Sequence, residues 1–254
     1  MEREEYRRLF ELEDHLWWFA GMRAISLTLL DRFLGPPVRS SSRELRILDA
    51  GCGTGGMLPH LGRYGRVVGC DISAHALGFA QRRREGYLVR GSLLRLPFSP
   101  QSFDVVTSFD VIYHQAIPDD EQALAEMARV LRPRGTLLLR VPAHDRLRSG
   151  HDRAVHTRHR YSRKELHHKL RRAGLRPVFL TYANGLLFPV ALVKRLGERL
   201  LPDTNEGSEV KPVSRSLNCL LTSVLRLEAL ALRHVRLPIG LSVVAVAERD
   251  ATAV

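Results

Sequence analysis

The sequence predicts an α/β fold: a doubly wound, mostly parallel sheet of seven strands with helices on both faces. Three observations carry that prediction. Short β-branched and apolar stretches alternate with helix-periodic stretches along most of the chain. A glycine-rich turn follows the first of these strands at once. An aspartate closes the second.

Leu45–Asp49 is the first predicted strand, and Gly51-Cys52-Gly53-Thr54-Gly55-Gly56 is the turn behind it. Arg66–Asp71 is the second, with Ser73 placed to cap the following helix. Tyr87–Arg90 and Phe103–Phe109 are the third and fourth. Asp119 opens a helix with Gln122 in the reciprocal capping position, and Leu124, Met127, Val130 and Leu131 recur at helical spacing. Pro133-Arg134-Gly135 is expected to turn the chain into a fifth strand, Thr136–Val141. Ser162 and Glu165 form a capping box for a helix that stops at Gly174. Pro177–Tyr182 and Leu241–Ala247 complete the sheet.

Two segments lie outside this alternation. Residues 1–40 form a helical N-terminal cap that carries His15, Trp17, Trp18, Phe19 and Arg23. Residues 184–238 interrupt the last two strands with two amphipathic patterns around a polar linker, Pro202–Arg215, and are expected to form a lid. The core is then 41–183 with 239–250, in a single domain spanning 1–254.

A chain of 254 residues with 44% hydrophobic and 26% charged residues suits one α/β domain with an elaboration. Met1–Asp14 is acidic and lacks an apolar signal stretch, and the most apolar run, Leu186–Val193, is too short to span a bilayer. The expected location is cytoplasmic, with peripheral membrane contact left open. Cys52, Cys70 and Cys219 have neither disulfide-framework nor zinc spacing. Net charge is +12, and 143–176 alone holds eleven Lys or Arg against three acids. Such a patch favours an anionic partner.

A glycine run after a strand lets backbone pass close to a ligand, and a carboxylate at the next strand end can accept from both hydroxyls of a ribose. Gly51, Gly53 and Gly56 also fit the dinucleotide spacing, so an NAD-dependent oxidoreductase stays open at this level. The wider pattern is more specific. Leu48-Asp49-Ala50-Gly51-Cys52-Gly53-Thr54-Gly55 and Val68-Gly69-Cys70-Asp71-Ile72-Ser73 resemble the first two motifs of class I S-adenosylmethionine-dependent methyltransferases. Leu96-Pro97-Phe98, Ser102–Val106 and Val130–Gly135 follow in the order and spacing of that family. The resemblance is to the bacterial quinone C-methyltransferase-like (methyltransferase type 11) group.

The resemblance implies a Rossmann-like core and S-adenosyl-L-methionine as cofactor. It places Gly51, Cys52, Gly53 and Gly55 against the methionine portion, with Asp49 ordering the loop. It places Asp71 on the ribose, Ile72 on the adenine face, and Ser92 and Leu93 at the adenine edge. Phe109 and Asp110 would close the site from the fourth strand. Trp18 and Arg23 would come from the cap, Arg23 pairing with the methionine carboxylate or else remaining solvated while the tryptophans anchor the helix.

On the acceptor side, His114 is the first candidate base, and His159 and Tyr161 come from the basic loop. No metal is expected, because the loop histidines lack fixed ligand spacing. The expected partner is a small-molecule or lipid-like acceptor, hydrophobic or anionic. Nucleic acid is disfavoured: Ser108-Phe109-Asp110-Val111 is not an exocyclic-amine motif, and neither Cys52 nor Cys70 is placed as a ring nucleophile. An RNA methyltransferase using 143–176 remains the main alternative.

Overall fold

The computed structural model describes residues 3–35, 44–148, 156–193 and 213–251. Helices α1 (Arg3–Leu12) and α2 (Trp17–Leu34) precede strand β1 (Leu45–Ala50). Then follow α3 (Leu58–Leu61), β2 (Gly65–Asp71), α4 (Ala74–Ala80), β3 (Tyr87–Arg90), β4 (Phe103–Phe109) and α5 (Asp120–Val130). The chain continues through β5 (Leu131–Pro142), α6 (Arg163–Arg172), β6 (Leu175–Ala183), α7 (Arg215–Ala231) and β7 (Ser242–Arg249).

The strands form one seven-stranded sheet in the order β3-β2-β1-β4-β5-β7-β6. Strand β7 runs antiparallel between β5 and β6, and the other pairings are parallel. The order reverses between β1 and β4, which opens a crevice at their carboxyl ends. Alternation along each strand sends side chains to opposite faces. Leu48, Val106, Leu137 and Leu139 join α5 (Leu124, Met127) and α6 (Leu166, Leu170) in one core. Ile47, Val105, Leu138 and Val244 join α2 (Met22, Ile25, Leu29) in the other. The near-continuous apolar strands of the sequence follow from this double coverage.

The predicted caps are largely present. Ser73 accepts from Ala76 N–H, and Ser162 with Glu165 forms the full capping box. Asp119 accepts from Gln122 N–H, but the Gln122 side chain donates to Leu94 O instead of returning to the cap. The expected turn at Pro133-Arg134-Gly135 lies inside β5, as an irregularity between the Phe103–Leu131 and Val105–Thr136 pairs. Arg134 takes φ 63° there, so the chain bulges and stays extended.

The insertion contributes α7, which packs on α2 rather than directly on the sheet centre. A side chain at Gly21 would meet Leu225 at 2.3 Å, so the glycine sets how closely the two helices approach. Asn218 fastens the helix starts, accepting from Trp17 N–H (2.7 Å) and donating to His15 O (2.9 Å). Buried Glu228 accepts N–H bonds from Asn184 (2.5 Å), Gly185 (2.8 Å) and Leu186 (2.9 Å), tying α7 to the exit of β6. Most of the expected linker, residues 202–212, lies outside the described residues.

Candidate active site

The crevice is built from the ends of β1, β2 and β4. Gly51 and Cys52 both donate to Cys70 O, which folds the turn after β1 against β2. Gly51, Gly53 and Gly55 have φ of 82°, 54° and 83°, the left-handed region that favours glycine. At Gly53 an added Cβ would meet nothing within 4 Å, so the loop presents bare backbone to open space. Asp71 orders this loop: Oδ2 accepts from Gly53 N–H (2.9 Å) and Oδ1 from Ser73 N–H (2.8 Å). Each carboxylate oxygen keeps a further lone pair for a ligand hydroxyl. Ile72 next to it is 55% exposed, an apolar shelf at the rim.

Asp49 is buried at the end of β1 and accepts from Thr107 Oγ1 at 2.7 Å. Burial, with Asp71 nearby, pushes its carboxyl up to about 7, against the lowering effect of the Thr107 bond. Cys52 is buried, and burial with the neighbouring acids drives its thiol well above the ordinary range, so it is a packing group. Leu93 belongs to the core cluster, which leaves only its main chain for reading a base edge. Ser92 Oγ accepts from Leu94 N–H at 3.2 Å, within its own turn.

Phe109 ends β4 and Asp110 follows it, and here the structure supplies a partner that the sequence did not single out. Asp110 has φ 56° and forms a partly buried ion pair with Arg140 at 2.7 Å. The Arg140 guanidinium also lies 5.4 Å from the Trp18 ring and 5.1 Å from the Phe109 ring. The only signal was one charge in an otherwise apolar strand, Leu137-Leu138-Leu139-Arg140-Val141. Arg23 does not point a free fork into the crevice: it donates to Glu13 O (3.1 Å) and Asp14 O (3.2 Å) and braces the corner between α1 and α2.

That corner is itself locked onto the glycine loop. Buried Glu13 accepts from Thr54 Oγ1 (2.5 Å) and Arg83 (2.7 Å), and Arg83 also donates to Thr54 O and Asp14. Phe10 packs on Phe79 with ring centroids 5.5 Å apart. Thus α1 lies against α4 and the loop. Nothing in the sequence distinguished Glu13 from the other acids of the N-terminal stretch.

The acceptor-side candidates fare differently. His114 accepts from Ala116 N–H at Nδ1 (3.0 Å), so its neutral ring carries the proton on Nε2 and offers a donor there, not a base. Tyr161 is completely buried, with its hydroxyl donating to Asp120 at 2.5 Å. Burial and that bond raise its phenol far above the usual range. His159 pairs with Glu165 at 2.8 Å, inside the capping box. Some of the basic residues are engaged by the fold: Lys169 and Arg158 converge on Asp120 at 2.8 and 3.0 Å, and buried Arg160 donates to Ala143 O.

His144 differs from these three in its surroundings. It follows β5 with φ 60°, stacks on Tyr182 (5.0 Å, 12°) and meets Phe188 edge-on at 5.7 Å. Its Nε2 is buried without a hydrogen-bond partner. Burial lowers its basicity below that of a free histidine. No cluster of metal-ligating side chains occurs among the described residues.

With this geometry in place, the comparisons are specific. Residues 48–139 match the family described as "Methyltransferase domain". The 2-phytyl-1,4-naphtoquinone methyltransferase of Thermosynechococcus vestitus is 40% identical over 96 residues, covering 35% of this chain and 42% of that protein. The demethylmenaquinone methyltransferase of Bacillus licheniformis is 35% identical over 100 residues, covering 36% and 42%. The chain thus spans less than half the length of these relatives. The Streptomyces coelicolor geranyl diphosphate C-methyltransferase, solved with S-adenosyl-L-homocysteine, superimposes with a TM-score of 0.55 at 17% identity, over 84% of this chain and 75% of that one. Over residues 48–139 the chain is therefore similar to S-adenosylmethionine-dependent methyltransferases, and S-adenosyl-L-methionine is the cofactor against which its crevice is tested.

The residues present fit that cofactor. The bare loop at Gly53, the doubly anchored carboxylate of Asp71 and the exposed Ile72 suit an aminoacyl chain, a ribose and a purine respectively. One consequence concerns pH. A cationic ligand beside Asp49 favours its carboxylate, so binding releases a proton wherever the free protein still holds one. With the free carboxyl titrating at about 7, cofactor affinity is expected to fall as pH drops below about 7. The loss approaches about tenfold per unit at most. Calorimetric titrations between pH 5.5 and 8 check this, and a flat profile would remove Asp49 from the linkage.

Proposed function

We propose that the protein methylates a small hydrophobic acceptor bearing an ionisable ring hydroxyl, of the reduced-quinone class. One observation carries this reading: His144 holds a buried, unpartnered Nε2 between Tyr182 and Phe188, one strand over from Asp110. An aromatic, largely apolar surround with one lone pair suits a flat ring that donates a single hydrogen bond. The quinone methyltransferases among the relatives support the same class.

In this account Asp71 accepts the ribose hydroxyls, the loop at Gly53 lies along the aminoacyl chain and Ile72 packs on the adenine. When bound, the cofactor supplies an electrophilic methyl carbon on a sulfonium. Trp18 and Phe109, held by Arg140, exclude water from the crevice. His144 Nε2 accepts the acceptor's hydroxyl proton, which makes the ring more nucleophilic; a base of this kind contributes about 10²–10⁴-fold.

The test uses methyl-labelled S-adenosyl-L-methionine and a reduced naphthoquinone with a short prenyl chain. Label is expected in an organic-extractable product. His144→Phe should lower turnover about 100-fold and leave cofactor affinity unchanged. Label appearing only in water-soluble acceptors or RNA would refute the acceptor class. Full turnover by His144→Phe would refute the role of His144.

A further inference from the structure

Helix α7 presents two unlike faces. Leu225, Glu228 and Ala229 are buried against the protein. At 100° per residue, Leu220, Leu227 and Leu230 fall on the opposite side, and they are 60%, 63% and 55% exposed. Arg226 and Arg233 flank this stripe and are exposed. Because Glu228 binds the N–H groups of 184–186, the segment 186–193 is tied to the same helix. It adds Leu186, Val190 and Val193, at 54%, 69% and 70% exposure.

The concentration is what matters. Of eleven large hydrophobics that are exposed among the described residues, nine belong to 184–193 or 213–241. Single exposed leucines need no explanation, but a clustered set marks an interaction surface. Charge narrows the partner. These two segments contain Arg215, Arg226, Arg233 and Arg236, and their only acid, Glu228, is 1% exposed. An outward apolar stripe edged by arginine with no exposed acid matches a helix lying in the interface of an anionic bilayer. No helix among the described residues is long and apolar enough to cross a membrane, so the contact is with one leaflet's surface.

We propose that the outer face of α7, with residues 186–193, docks the protein on an anionic lipid surface. This rests on the placement of these side chains and stands whatever the methyl acceptor proves to be. The test is co-sedimentation of the full chain with large vesicles of phosphatidylcholine alone or of phosphatidylcholine with phosphatidylglycerol, at low and physiological salt. Binding to the anionic vesicles is expected to be at least tenfold tighter than to neutral ones, and weaker at higher salt. The triple change Leu220→Ser, Leu227→Ser, Leu230→Ser and the double change Arg226→Gln, Arg233→Gln should each cut it tenfold or more. Both variants should bind S-adenosyl-L-methionine normally, which shows that they are folded.

Equal binding to both vesicle types, or none, would overturn the proposal. So would a concentration-dependent dimer in light scattering that the leucine variant disperses, because the face would then belong to a second copy of the chain.

Discussion

Asp71→Ala is expected to weaken S-adenosyl-L-methionine binding by about 10- to 100-fold, the equivalent of about 1.5–3 kcal/mol for hydrogen bonds to a charged group. Two effects combine. The ribose hydroxyls lose their acceptor, and the glycine loop loses the carboxylate that fixes Gly53 N–H and Ser73 N–H. Asp71→Asn separates them, since its one carbonyl oxygen can hold a backbone N–H without the charge. Its affinity should lie between those of wild type and the alanine variant. Calorimetry measures the affinities, and thermal melts show whether the variants are folded. Unchanged affinity in a folded Asp71→Ala protein would place the ribose elsewhere.

Glu228→Ala should cost substantial stability although the residue lies outside the sheet. Its carboxylate accepts from three consecutive backbone N–H groups at the exit of β6, one buried and two partly buried. An unsatisfied buried donor costs about 1–3 kcal/mol, and water can reach the partly buried pair once the side chain is gone. The expected net cost is about 2–4 kcal/mol, a melting-point drop of roughly 5–15 °C for a chain of this size. Glu228→Gln should cost less than alanine but not nothing, because its amide group turns a donor toward other donors. Denaturant unfolding of the three proteins checks the order. A neutral Glu228→Ala would mean that α7 is held by Leu225 and Ala229 alone.

Local signals made most of the sheet legible in the sequence. Buried parallel strands need runs such as Ile47-Leu48 and Val105-Val106, in which both faces are apolar, and the caps at Ser73 and Ser162 announce themselves by side-chain chemistry. The glycine loop and Asp71 were visible for the same reason: their constraints lie within a few residues. What sequence reasoning missed depends on distant partners. Glu13 becomes special only because Thr54 and Arg83 lie beside it, and Arg140 because Asp110 and Trp18 do. The acceptor-side candidates depend on their partners as well. His114, His159 and Tyr161 have the right chemistry in sequence, yet Ala116 N–H, Glu165 and Asp120 engage them. His144 was one histidine among several until stacking on Tyr182 and a buried Nε2 without a partner set it apart.

The glycine spacing alone also admitted a nicotinamide dinucleotide. The most direct measurement is therefore calorimetric titration of the full chain with S-adenosyl-L-methionine, S-adenosyl-L-homocysteine and NAD in parallel. The account predicts one site per chain for the first two, in competition with each other, and no heat from NAD. Saturable NAD binding with no response to S-adenosyl-L-methionine would contradict it.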